Sequence, residues 1–207
     1  MLLLQLFSNP LNAISFIIAL LIAFTLHESA HAYISSKLGD DTAKSMGRIS
    51  LNPLNHLDLF GTIFLLTVGF GWGKPVPVNP HKFKNPLRDE FIVAISGPLT
   101  NILIAFITGL AIKILAPILS PALLMLLILI TLINLRLGIF NLIPIPPLDG
   151  SKILQIFIPF ETYLTFERFG MFILIFLLFA TNILNYIIII PSDYLFRLFT
   201  GITNIPF

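Results

Sequence analysis

The hydrophobic positions of this chain fall in long unbroken runs, not in the alternating or one-sided patterns of soluble strands and helices. The first run extends from about Leu11 to Ser36. At 1.5 Å per residue it predicts a helix of roughly 39 Å, enough to cross a bilayer with some tilt. The second, Leu59 to Phe70, holds about a dozen residues and two glycines, too few for an easy helical crossing. Three more follow: Phe91 to about Pro117, about Pro121 to Ile143, and Phe169 to Ile190. A final segment, Pro191 to Phe207, carries Asp193 and Arg197 among aromatics and reads as an interfacial helix or a frayed end. Closely spaced prolines in Pro75-Val76-Pro77-Val78-Asn79-Pro80 and in Pro144-Ile145-Pro146-Pro147 demand extended backbone. The pattern predicts an all-α polytopic membrane protein of about five apolar segments, with a re-entrant or extended β-like loop between the first and third. Residues 1–207 are expected to form one domain, because no repeat or low-complexity stretch divides them.

Composition agrees. Hydrophobic residues make up 57% of the 207 and charged ones only 11%, and the mean hydropathy is +0.97. A soluble fold of this size could not hide so much apolar surface, so a lipid bilayer is the expected surrounding. With no cysteine, disulfides, thiolate metal sites and cysteine nucleophiles are excluded. The net charge of +2 comes without a run of basic residues, which argues against nucleic acid as a partner. Met1 to Pro10 contains no Lys or Arg, so the positive region of a cleavable signal peptide is missing and the first run is expected to be retained.

The chemistry sits inside the first run, at His27-Glu28-Ser29-Ala30-His31. On a helix, residues four apart share a face, so two imidazoles there can hold one metal ion while the intervening Glu serves as general base. Two histidines and a Glu in an apolar helix are costly unless a metal or a wet cavity receives them. A hydrolytic zinc site normally has three protein ligands. Asp149, just past the proline-broken end of the fourth run, is the candidate third. His31 lies six residues before Lys37, roughly 9 Å below the polar end of its helix. Asp149 reaches that depth if both ends face one side. The third and fourth runs, joined by a tight turn near Pro117 to Pro121, then form a hairpin. Loops 37–58 and 71–90 fall together on one side, and 59–70 enters and leaves from it. Those loops carry seven of the twelve Lys and Arg (Lys37, Lys44, Arg48, Lys74, Lys82, Lys84, Arg88). The positive-inside rule makes that side the cytoplasm.

These residues together resemble the site-2 protease family of intramembrane zinc metalloproteases, in its compact bacterial form without PDZ or nucleotide-sensing domains. The resemblance rests on His27-Glu28-Ser29-Ala30-His31, on Ser96-Gly97-Pro98-Leu99-Thr100-Asn101, and on Asn141 through Gly150. Gly47-Arg48 with Leu51-Asn52-Pro53, and Gly71 through Pro80, add to it. It covers roughly residues 11–190 with the motifs in the family's order. It implies one zinc ion on His27, His31 and Asp149, with Glu28 as base. It also implies hydrolysis of transmembrane protein substrates near the cytoplasmic side of the cell (inner) membrane, as in regulated intramembrane proteolysis.

Other polar residues have two readings each. Asn101 and Asn141 are candidates for binding substrate backbone or an oxyanion, or for bonding helix to helix. His56 and Asp58 read as a solvated loop, or as ligands of a second metal. His81 reads as surface. Arg136 reads as a snorkelling residue or as a functional intramembrane charge, and Lys113 is expected to snorkel. The 75–80 stretch offers an extended edge that an unwound substrate could join by β-addition, or is a rigid loop. Two rival functions stand beside the protease: a metal carrier, and a catalytically silent family member that binds membrane proteins.

Overall fold

The computed structural model describes residues 9–68, 71–180 and 182–203. Its frame is helical. Helix α1 spans Pro10–Lys37, α2 Leu59–Val68, α3 Pro86–Leu115, α4 Pro121–Asn141, α5 Phe160–Ala180 and α6 Ile183–Thr200. Three begin with proline, whose missing N–H costs nothing in the first turn and whose fixed φ suits the helix. Asn9 caps α1 by accepting from Leu11 N–H, and Ser120 caps α4 by accepting from Leu123 N–H. At α3, Asn85 N–H donates to Asp89 Oδ2 while Asp89 N–H donates to Asn85 O.

Helices α1, α3, α4 and α5 are long and apolar enough to cross a membrane. Helix α4 is the central one: 44% of its most apolar window is buried, against 17–22% for the other three. It packs on α1 through Ala19, Leu129 and Ile130. It packs on α3 and α6 through Ala105, Ile112, Ile128, Leu132, Leu135 and Phe196. The outer faces keep large apolar side chains exposed, among them Leu103, Ile107, Phe172 and Phe176, as a lipid-facing surface must.

Three expectations need correction. The fifth apolar run does not start at Phe169. Helix α5 begins nine residues earlier, at Phe160, because the charged Glu161, Glu167 and Arg168 sit on its exposed side and do not interrupt the helix. That run also does not continue unbroken to Ile190, since Asn182 caps a new helix, α6. Nor does a separate segment start at Pro191, which lies inside α6. A helix supported by packing against α3 and α4 tolerates the lost hydrogen bond. Residues 204–207 of that expected segment lie outside the described ones.

The segment expected between the first and third runs is a ten-residue helix over Leu59–Val68, about 15 Å long; residues 69–70 are not described. Asp58 Oδ1 accepts from Gly61 N–H at its start. Among the described residues the β-type pairing is a single bridge between Leu57 and Gly73, and 74–79 runs without regular structure. Asp40 anchors that stretch. Fully buried, it accepts from Asn79 N–H at 2.7 Å, Thr42 N–H at 3.0 Å, the Thr42 hydroxyl and the Ser35 hydroxyl. Those donors outweigh the burial that would raise its pKa and hold the carboxyl below the usual carboxylate range.

Candidate metal centre

The α-helical period alone places His27 and His31 on one face of α1, both buried. The chain after α4 supplies the third group. It turns back at Leu142 and crosses so close that a Cβ on Gly150 would lie 2.8 Å from Ile143 O, with Leu142 O closer still. Only glycine fits there, and this fold-back sets Asp149 against the α1 histidines. Asp149 Oδ2 is 3.0 Å from His27 Nε2 and 3.3 Å from His31 Nε2. The two Nε2 atoms are 3.1 Å apart.

The protonation pattern follows from the neighbours. His31 Nδ1 donates to the Val93 carbonyl at 2.8 Å. His27 Nδ1 faces Asn101 Oδ1 at 2.5 Å. With both protons on Nδ1, each Nε2 presents a lone pair to the other and to a carboxylate oxygen. That oxygen, Asp149 Oδ2, is buried and has no hydrogen-bond partner. Three converging acceptors with no proton between them repel unless a cation sits among them. Ligand atoms around a tetrahedral zinc with ordinary bond lengths stand about 3.3 Å apart, close to the triangle seen here. The donor set therefore fits a divalent metal, and its fourth side faces a cavity of about 890 Å³. Among the described residues, these three form the one His/Asp/Glu group compact enough to hold an ion.

Glycine also makes room on the α3 side. A Cβ on Gly97 would lie 2.6 Å from His31 Cε1 and 2.8 Å from His27 Cε1, so α3 can approach the imidazoles only because residue 97 has none. Pro98 then leaves the Ala94 carbonyl without its helical donor.

Glu28 is half-buried and lines the cavity, and its carboxylate makes no hydrogen bond to a described residue. Nearby, Lys152 Nζ meets Glu90 at 2.7 Å and Glu167 at 3.9 Å, which joins the Asp149 turn to α3 and α5. Burial would lower the Lys152 pKa; the Glu90 carboxylate outweighs it and raises it above the ordinary lysine value.

The remaining candidates separate. Asn101 is fully buried, and its bonds all run inside the protein: its amide donates to Ala23 O at 3.1 Å and to Asn134 Oδ1 at 2.8 Å. Its Oδ1 faces His27 Nδ1, so each of its polar atoms has a partner inside the protein. Asn141 lines the cavity, with one amide hydrogen donated to Leu137 O. His56 is not solvated. It is fully buried, its Nε2–H donates to Ser50 O, and among the described residues it belongs to no compact group of metal-ligating side chains. His81 is exposed. Arg136 does not simply snorkel, because it lies 3.9 Å from Asp193 on α6 and lines the cavity. Asn134, which the sequence reading passed over, is fully buried. A polar side chain inside a 21-residue apolar helix was the signal available for it.

A helical chain able to cross a bilayer several times, with an HExxH pair and a carboxylate converging at one point, belongs to the class of multi-pass membrane metalloproteases. The sequence model of Peptidase family M50 matches residues 112–181, a stretch that contains Asp149 but not the two histidines. Across 191 residues the chain is 41% identical to the "Putative zinc metalloprotease YwhC" of Bacillus subtilis (strain 168), covering 86% of each. Across 153 residues it is 33% identical to the "Putative zinc metalloprotease MJ0611" of Methanocaldococcus jannaschii, covering 72% of this chain and 75% of that one. No solved structure matches the chain significantly. The chain belongs to Peptidase family M50, the site-2 proteases.

Proposed function

We propose that this protein is an intramembrane zinc metalloendopeptidase that hydrolyses peptide bonds of transmembrane proteins near the cytoplasmic face of the cell membrane. The observation that carries the reading is the convergence of His27 Nε2, His31 Nε2 and Asp149 Oδ2 at the wall of a large cavity that Glu28 also lines. One zinc ion would be held by those three atoms. When bound there, zinc supplies Lewis acidity toward a carbonyl oxygen and toward water.

The chain's own residues do the rest. Glu28, with no partner to compete for its carboxylate, takes a proton from water and delivers it to the departing amine nitrogen. Asn141, at the cavity wall, touches substrate backbone in this reading, and Asn101 serves His27. Gly71, Trp72, Gly73, Pro75, Val76 and Val78 form the loop side of the cavity. The backbone N–H and C=O groups of Val76 and Val78 bond to no described residue, and Asp40 holds the stretch from behind. An unwound substrate strand can pair with that edge before cleavage. The basic loops 37–58 and 71–90 favour the cytoplasmic side for this mouth.

The test is cleavage of a panel of single-span membrane proteins in the host membrane. Wild type is compared with Glu28→Gln and Asp149→Asn, and zinc content is measured in parallel. Both variants are expected to lose cleavage, Glu28→Gln by about 10²–10⁴-fold, with zinc retained in Glu28→Gln and reduced in Asp149→Asn. Full cleavage by Glu28→Gln would overturn the assignment of the base.

A further inference from the structure

Three residues on three helices form a hydrogen-bond chain whose direction is fixed at both ends. Asn134 on α4 donates its amide to the Ile130 carbonyl at 2.8 Å. A backbone carbonyl only accepts, so that Asn134 atom is Nδ2 and the other is Oδ1. Asn134 Oδ1 then accepts from Asn101 Nδ2 at 2.8 Å. Asn101 Nδ2 also donates to the Ala23 carbonyl on α1, which fixes its amide the same way. Asn101 Oδ1 is thereby the atom facing His27 Nδ1. Asn101 and Asn134 are both wholly excluded from the surface, and His27 is 4% exposed.

We infer that Asn134 is a positioning residue for the metal centre, selecting the His27 tautomer through Asn101. The inference rests on the metal-site reading above. If the Asn101 amide reversed, its NH₂ would face His27 Nδ1. The imidazole proton would then move to Nε2, where it blocks a metal. Reversal is opposed because it would set Asn101 Oδ1 against two acceptors at once, Ala23 O and Asn134 Oδ1. In a dry interior two such clashes are costly. Asn134 supplies one of them. Gly138, one turn further along α4, lets the helices meet: a Cβ there would lie 3.0 Å from Pro98 O and 3.2 Å from Asn101 Cβ. The approach that brings Asn134 to Asn101 is thus built into both helices. A residue that only joined helices would need no defined direction of donation, and this chain has one from end to end.

The test uses the full-length protein in detergent micelles. Two quantities are read: zinc affinity by competition with a chromophoric chelator, and the His27 tautomer in metal-free protein by ¹⁵N NMR of labelled histidine. Asn134→Leu removes the acceptor with the same number of side-chain heavy atoms, Asn134→Ala removes it with a smaller side chain, and Asn134→Asp, protonated in this dry interior, keeps the acceptor and donates its O–H to the Ile130 carbonyl. Leu and Ala are expected to weaken zinc binding roughly tenfold and to shift the His27 signal from Nδ1–H toward Nε2–H. Asp is expected to stay near wild type in both. Wild-type tautomer and affinity in Leu and Ala would overturn the inference, as would an equal loss in all three variants. If wild type bound no zinc, the metal reading would fail. The tautomer readout would still decide the relay, because it needs no metal.

Discussion

At the scale of single residues, the site depends on what is missing as much as on what is present. Gly97 leaves the space the imidazoles occupy. Gly97→Ala is therefore expected to displace His27 and His31 and reduce zinc affinity by about 10–100-fold, measured on purified protein, while the helices persist by circular dichroism. Asp40 carries a different kind of consequence. Its folded pKa lies below the ordinary value, so the ionised form is favoured by folding. The stability it contributes is present above about pH 4 and is lost as pH falls through the lower folded pKa. Asp40→Asn should cost on the order of 2 kcal/mol at neutral pH. The gap from wild type should narrow as pH falls below about 4, a trend that melts in micelles would show. A constant gap would contradict the role given to the charge.

At the scale of elements, α6 is held by shape and by charge. Gly109 on α3 admits Phe199 of α6, whose Cβ would lie 2.6 Å from a Cβ added there. Arg136 on α4 and Asp193 on α6 stand 3.9 Å apart, with Arg136 Nε and Asp193 Oδ1 buried and lacking hydrogen-bond partners. Removing one partner leaves a charge in an apolar setting, so Arg136→Met or Asp193→Leu alone should destabilise more than the double substitution. A coupling of about 1 kcal/mol is expected from the double-mutant cycle. Additive losses would mean that the pair does not hold α6. Sequence patterning located α1, α3 and α4 well, because each is an apolar run bounded by prolines or polar loops. It misplaced α5 and divided α6 wrongly, because Glu161, Arg168 and Pro191 look like boundaries when read locally. Packing against α3 and α4 is what lets the helix of Pro191 continue.

At the scale of the whole molecule, one cavity joins His27, His31, Asp149, Glu28, the 71–78 loop and faces of α1, α3, α4, α5 and α6. Its orientation can be tested cleanly, since the chain has no cysteine. Ser45→Cys in the loop after α1 should react with a membrane-impermeant maleimide from the cytoplasmic side, and Ser120→Cys between α3 and α4 from the opposite side. The reverse labelling would invert the topology and move the site to the other face of the membrane.

The amino-acid sequence by itself determined the apolar setting, the class and the residues of the candidate metal site. Apolar runs of membrane length need no tertiary information to be read, and the His27–His31 spacing becomes a shared face as soon as a helix forms, because the period is local. Asp149 was reachable because broken backbone at the end of an apolar run leaves few acidic alternatives. The tertiary structure decided what depends on contacts distant in sequence. It set Asn101 against His27, brought Asn134 behind it, paired Arg136 with Asp193, and made Gly97 and Gly150 the points of closest approach. None of these leaves a periodic trace in the chain, since each arises from two segments meeting in space.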